Sequence, residues 1–167
     1  AEGYDVGGSL LEEDMVDEVR ELLASEWGSR VTLPSDIVVA DRLAEDAASR
    51  IVAATDMPSG WIGLDIGPST AALFSSVITG AGAVFWNGPM GVFEWEAFRV
   101  GTETVARALA ESSAFTVAGG GDSVAALRSF GLDGQIAHLS TGGGAGLEYL
   151  EGDPLPGLEA LERWTHD

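Results

Sequence analysis

Four short apolar runs, each closed by a glycine or proline cluster, constrain the fold of this chain more than any other feature. Trp61-Ile62-Gly63-Leu64-Asp65-Ile66 runs into Gly67-Pro68, and Ala83-Val84-Phe85-Trp86 into Asn87-Gly88-Pro89. Phe115-Thr116-Val117-Ala118 runs into Gly119-Gly120-Gly121, and Ile136-Ala137-His138-Leu139 into Ser140-Thr141-Gly142-Gly143-Gly144. Each is followed by a segment of helical period: to about residue 80 with Ser69 and Thr70 as caps, from about 95, over 122–130, and to about 151. Phe98, Gly101, Val105 and Leu109 fall on one face of the second of these. Buried strands alternating with helices imply parallel βαβ units. The expected fold is α/β: a Rossmann-like, doubly wound open parallel sheet of about five strands, with helices on both faces.

The flanks are simpler. Ser9 followed by Glu12 reads as a capping box, and Leu11, Met15, Val19 and Leu22 recur at helical spacing to about residue 26. Val31-Thr32-Leu33 and Ile37-Val38-Val39-Ala40 read as strand interrupted by Pro34, residues 41–60 as a loop or short excursion, and 157–164 as a final helix.

Glycine and charge separate along the chain. Residues 61–147 hold 16 of the 23 glycines, while acidic residues crowd the first thirty positions as solvated helix surface. The net charge is −19 and all eight basic residues are Arg. That balance argues against nucleic acid, which needs a cationic stripe, and against an anionic membrane surface. No apolar stretch approaches the roughly 20 residues of a spanning helix, and the polar opening carries no signal-peptide pattern. Without Cys, thiol catalysis and Cys-based zinc sites drop out.

In an open α/β sheet, ligands bind beyond the carboxyl ends of the strands, where the glycine clusters fall. Gly119-Gly120-Gly121-Asp122 and Gly142-Gly143-Gly144 lead straight into helices. Unpaired amides at a helix start attract anions, so a chain without Lys still has a way to hold phosphate. Asp122 is either a helix cap or a Mg²⁺ ligand beside phosphates. Glu94 either favours a helix start or binds a ribose hydroxyl, and Asp65 is a strand-end cap or a ligand. Trp86, Phe85 and Phe93 read as core. His138 reads as structural, and His166 lies in the tail.

These residues resemble the phosphoglycerate kinase family. The resemblance rests on Gly60–Pro68, Trp86–Glu94, Gly119–Ser123, His138–Ala145, and Leu147–Gly152 followed by Leu155-Pro156-Gly157, in matching order and spacing. Leu33-Pro34 and Val38-Val39-Ala40 fit upstream, and Asp122-Ser123 has a bacterial flavour. The resemblance implies reversible phosphoryl transfer between 1,3-bisphosphoglycerate and ADP, giving 3-phosphoglycerate and ATP, in a cytoplasmic monomer. It further implies that Gly63 lines the adenine pocket and Glu94 holds the ribose, with Asn87 and Pro89 bordering the nucleotide. Gly120, Gly121, Asp122 and Ser123 would meet its phosphates, with Asp122 on Mg²⁺. Gly121 and Gly143 would face the transferred phosphoryl group.

The departures from the family pattern are equally specific. Family members are more than twice this length, so residues 1–167 are expected to be part of the C-terminal, nucleotide-binding domain. The N-terminal substrate domain and the first βα unit of this domain, with its phosphate-binding lysines, would be missing. In a 3-2-1-4-5-6 sheet the lost strand is central. Strands at 31–40 and 61–66 would then fall on one side of the gap and those at 83–86, 115–118 and 136–139 on the other. Gly146 stands where the family usually has Ser, and Asp153 where Lys is usual. The expectation is an enzyme fragment inactive alone. The alternatives are a non-catalytic nucleotide-binding module and an interaction protein with a vestigial site.

Overall fold

Hydrogen-bonded strand pairing divides the chain into two three-stranded sheets. The structure, a computed structural model, describes residues 1–140 and 142–164. Thr141 and His166, both singled out from sequence, lie outside the described residues. By contacts the chain forms two units: Ala1–Val77 with Met90–Val105, and Ile78–Pro89 with Ala106–Asp167.

The first unit holds β1 (Asp36–Ala40), β2 (Ser49–Ala53) and β3 (Ile62–Ile66), in the order β2-β1-β3. Both pairings are antiparallel, with Val38 opposite Ile51 in β2 and Asp65 in β3. The parallel expectation does not extend to this sheet. A parallel neighbour needs a crossover of a dozen or more residues, usually helical, and residues 41–61 contain no helix. β2 lies inside the segment expected to be a loop. Its hairpin carries no two-residue turn signal; the wide 41–48 connection is held by Asp41, whose carboxylate accepts the Ala48 N–H at 3.1 Å.

Two further expectations fail in this unit. Val31-Thr32-Leu33 is not strand. A short 3-10 turn occupies Gly28–Arg30, Val31 and Leu33 are exposed, and β1 starts only at Asp36. Pro34 has no N–H to give a ladder. The first helix, α1 (Val16–Ala24), begins well after Ser9, behind a 3-10 turn at Glu13–Met15. Ser9 makes no capping box, because its Oγ accepts the Gly63 N–H at 3.0 Å instead. Leu11, Met15, Val19 and Leu22 do share helical spacing but remain exposed. The buried cluster of this unit is Ala40, Leu64 and Phe98, with Val38, Ala47, Ile62, Val92 and Trp95 packed on it. Trp95 and Phe98 meet edge-on at 6.1 Å.

In the second unit, β4 (Ala83–Asn87), β5 (Phe115–Gly119) and β6 (His138–Ser140) form a parallel sheet in that order. α3 (Val100–Glu111) joins β4 to β5, and α4 (Gly121–Ser129) joins β5 to β6. This is the α/β architecture the sequence implies. Trp86, Thr116, Ala118, Val124, Ala126 and Leu127 are buried here. α2 (Pro68–Thr79), α5 (Gly143–Glu151) and α6 (Pro156–Trp164) lie within a residue or two of their expected positions. β6 is shorter and later than the apolar run suggested, and its His138 is exposed.

Candidate functional site

Register brings the carboxyl ends of the parallel strands into one row. Asn87 pairs with Gly119, and Gly119 with Ser140. The chain leaves β5 through Gly120, whose φ of +89° lies in the region open to glycine. Its N–H donates to the Ser140 carbonyl at 3.0 Å, tying the exits of β5 and β6 together. Gly143, the first residue of α5, packs directly on that exit. A Cβ at Gly143 would stand 2.7 Å from Gly120 Cα, 2.8 Å from its N and 2.9 Å from Asn87 Oδ1. Asn87, Gly120 and Gly143, singled out separately in sequence, are thus one cluster.

Two helices start at this cluster, and among the described residues no side chain caps α4 or α5. The first amides of a helix have no intrahelical acceptor and carry the positive end of its dipole. Not every glycine here is required by packing. Cβ atoms at Gly121 and Gly144 would meet nothing within 4 Å, so the chain's own structure leaves open space over both. Gly121 and Asp122 are exposed on the first turn of α4. Ser123 is fully buried, and its Oγ accepts the Gly88 N–H at 2.7 Å, fixing the turn between Asn87 and Pro89. Pro89 is half-buried at the end of that turn.

Gly146 also acquires a reason. A Cβ there would lie 3.3 Å from the Phe85 ring, which also sits 2.7 Å from the Cβ position of Gly119. Phe85 fills the floor beneath both glycines, and a larger residue at 146 presses on it.

The first unit carries the remaining candidates. Gly63 lines a largely apolar cavity of about 520 Å³ together with Tyr4, Leu10, Met57, Leu64 and Val92. A Cβ at Gly63 would make only ordinary contacts, at 3.7 Å to Ser9 Oγ and 3.8 Å to Met57 Cε. Glu94 is exposed, just beyond Val92. Both residues belong to the first unit, whereas the glycine and Asn87 cluster belongs to the second.

Two carboxylates in the first unit close helix starts. Asp36 Oδ2 accepts the Ser69 N–H at 3.0 Å, and Oδ1 accepts the Thr70 N–H at 2.7 Å and the Thr70 hydroxyl at 2.7 Å. Ser69 and Thr70 therefore do not cap α2; a residue of β1 does. Partial burial pushes the Asp36 carboxyl up, but the Thr70 and Ser69 donors outweigh it and leave it below its ordinary value. Asp65 is buried, with Oδ2 accepting the Gly101 N–H at 2.7 Å and Oδ1 its neighbour Ile66 N–H at 2.9 Å. Burial outweighs those two donors and pushes Asp65 up to about 6. Asp65 thus serves its own strand end and the first turn of α3, not the helix that follows its strand.

Among the described residues no three His, Cys, Asp or Glu come together as a metal cage. Asp122 is a lone carboxylate beside uncapped amides. That suits a Mg²⁺ ion held by one carboxylate, water and phosphate oxygens, the usual arrangement in phosphoryl-transfer sites. No helix among the described residues is long and apolar enough to cross a membrane.

The family model for phosphoglycerate kinase matches residues 1–153. Phosphoglycerate kinase of Frankia casuarinae is 56% identical over 161 residues, covering 96% of this chain and 40% of its own length. The structure of phosphoglycerate kinase from Coxiella burnetii matches with a TM-score of 0.87 at 41% identity, over 94% of this chain and 41% of that one. That from Pyrococcus horikoshii matches with a TM-score of 0.77 at 36% identity, over 89% and 36%. The chain thus spans about 40% of the length of the curated relatives it matches.

Proposed function

Since this chain belongs to the phosphoglycerate kinase family, we propose that it carries the Mg·nucleotide half of that kinase. The family uses ADP and ATP together with phosphoglycerates. Residues 1–167 then form part of the C-terminal domain of a two-domain cytoplasmic enzyme, working as a monomer. The observation that carries this reading is the row of strand ends in the second unit. Asn87, Gly120 and Gly143 converge there, and two helices begin, among the described residues, without side-chain caps.

The roles follow from chemistry. Phosphoryl transfer depends on positioning and charge stabilisation more than on a protein nucleophile. Amides opening α4, from Gly121 through Ser123, hold nucleotide phosphates, and those opening α5 at Gly143 face the phosphoryl group in transit. The open space over Gly121 and Gly144 admits phosphate to the backbone. Gly120 and Ser123 keep the turn in shape, the first by its backbone and the second through Gly88. Asn87 and Pro89 border the nucleotide. Gly63 lines the apolar cavity for adenine, and exposed Glu94 takes a ribose hydroxyl. Mg²⁺ held by Asp122 would neutralise charge on the phosphates.

With no Lys in 167 residues, the chain has few cations to offer a multiply charged anionic substrate. We therefore assign triose-phosphate binding to a separate domain and expect no turnover from this chain alone. Calorimetry with ADP, with and without Mg²⁺, tests the reading. Wild type should bind ADP more tightly with Mg²⁺, and Asp122→Ala should lose that Mg²⁺ increment, about tenfold, while keeping its metal-free affinity. Equal Mg²⁺ dependence in both proteins removes Asp122 from the metal. ATP formation from 1,3-bisphosphoglycerate and ADP by the purified chain refutes the inactivity. Binding that answers to Asp122 without any coupling to phosphoglycerate in longer chains favours the nucleotide-binding module.

A further inference from the structure

We propose that Asp65 is a positioning residue that fixes segment 90–101, and with it Glu94, against the carboxyl end of β3. The role given to Glu94 rests on the nucleotide reading above; the fixing of the segment does not.

Segment 90–101 leaves no regular ladder behind it, yet both of its ends are fastened. At its start, Val92 N–H donates to the Leu64 carbonyl at 2.9 Å. Met90 and Gly91 N–H donate to Thr102 Oγ1 at 3.1 and 3.0 Å, and Thr102 is fully buried. At its end, Gly101 N–H donates to Asp65 Oδ2 at 2.7 Å. Glu94 lies between these anchors. Close packing enforces the same arrangement. A Cβ at Gly91 would collide with the Leu64 carbonyl and the Asp65 backbone, and one at Gly101 with the Asp65 carboxylate. Leu64 and Asp65 are adjacent in β3, so one strand end holds both ends of the segment.

A buried ionised carboxylate is costly unless its oxygens are engaged. Asp65 is retained where an apolar residue would bury more cheaply, and both its oxygens accept backbone N–H groups. When it takes up a proton, one oxygen becomes a donor and one of these two bonds is lost. The bonding to Gly101 and Ile66 therefore rearranges as pH crosses the value of about 6 to which burial raises this group. Asp65 also lines a cavity of about 530 Å³ with Val38, Arg50, Ala71, Val100 and Thr104, which gives protons a path to it. The charged groups around it come from several elements: Glu2 and Asp5 line with it the cavity of Gly63. Arg50 of β2 lines the same cavity and stacks on Trp61 at 4.5 Å, and Arg99 and Glu103 flank Gly101 and pair with each other at 3.6 Å. β1 presents Val38 and Val39 opposite.

The test uses the 167-residue chain. Amide NMR between pH 4 and 8 should show Gly101 and Ile66 shifting together with a midpoint near 6 in wild type, and neither titrating that way in Asp65→Asn. Calorimetry then compares ADP, 2′,3′-dideoxy-ADP and inorganic pyrophosphate. Wild type should prefer ADP to the dideoxy form about tenfold, as expected for a hydrogen bond to a carboxylate. Glu94→Gln sets the baseline for loss of that preference. Asp65→Asn should fall to the same baseline while binding pyrophosphate as wild type does. A Gly101 amide that holds its shift from pH 4 to 8 in wild type overturns the proposal. So does an Asp65→Asn chain that keeps the ribose preference, or one that loses pyrophosphate and dideoxy-ADP equally. If Gly101 titrates as stated and wild type binds no nucleotide, the fastening stands and the nucleotide reading falls.

Discussion

In the first unit two amides opening α2 are taken by Asp36 and one opening α3 by Asp65; in the second, α4 and α5 open on glycine and, among the described residues, have no side-chain cap. All four helices follow strands, and all four starts carry the same dipole and the same orphan amides. The chain fills two of them with its own carboxylates and, among the described residues, caps the other two with no side chain. A protein of net charge −19 places no acid in the Gly142-Gly143-Gly144 turn and keeps Asp122 on the exposed face of α4. The difference separates starts closed by the chain's own carboxylates from starts that open on glycine.

The strongest way to break this contrast is to fill the second unit's cluster. Gly143→Ala places a methyl 2.7 Å from Gly120 Cα and 2.9 Å from Asn87 Oδ1. Overpacking of this kind costs roughly 2–3 kcal/mol, and the strand ends must part to relieve it. Urea denaturation should show that loss, and calorimetry should show ADP binding gone. Retained binding at unchanged stability would mean the cluster is not the close-packed unit described.

Next in size is removal of a side-chain cap from the first unit. Asp36→Ala should cost about 1–2 kcal/mol at pH 7, the usual value of a cap. The pH dependence has a definite sign. Asp36 is held below its ordinary 3.8, so its stabilisation is present above that value and is lost as pH falls through the lower, folded-state one. The gap between wild type and Asp36→Ala should therefore close in strong acid. A gap that stays constant from pH 7 down to pH 2 argues that Asp36 acts by packing alone.

Asp65 should behave in the opposite sense. Its folded-state value is raised from 3.8 to about 6, so the folded protein binds the proton more readily than the unfolded chain. Its contribution to stability is complete below about pH 3.8 and is lost as pH rises to about 6. Stability of wild type relative to Asp65→Asn should decline across that window, where the Asp36 comparison is flat. Parallel slopes for the two residues would dissolve the distinction between a half-buried cap and a buried one.

The smallest effect is expected at Gly146. Replacing it with Ser gains up to roughly 0.5 kcal/mol of helix propensity but presses a Cβ on Phe85 at 3.3 Å. The two should nearly cancel, leaving stability within about 1 kcal/mol in a thermal melt. A larger loss would show that Phe85 is held rigidly by the floor it forms.

Legibility in the sequence followed the range of the interactions. The parallel strands of the second unit and the helices between them were readable because a buried strand, a glycine exit and a helix start are adjacent in the chain. Asn87, Gly120, Gly121, Asp122 and Gly143 were singled out on the same basis, and register then brought Asn87, Gly120 and Gly143 together. What failed depended on distant partners. Ser9 and Glu12 have capping-box spacing, but Ser9 serves Gly63, fifty-four residues away. Thr70 looked like a cap because Thr caps helices; the carboxylate that does so comes from Asp36, thirty-four residues upstream. Val31-Thr32-Leu33 has strand composition without a strand beside it, and β2 has a strand beside it with little strand signal.

The sequence by itself determined the α/β class, the order of helices and parallel strands, the placement of glycine at strand exits, and membership of a kinase family. These are written in local periodicity, in turn chemistry and in motif spacing, which need no folded partner to be read. Tertiary structure alone decided which sheet is antiparallel, which carboxylates are consumed as caps, and that α1 keeps its apolar stripe exposed. It alone separated glycines required by packing, such as Gly143, from those with open space above them, such as Gly121 and Gly144. The reason is physical: a hydrogen-bond acceptor or a steric limit exists only where two distant segments meet, and nothing in either segment alone records the meeting.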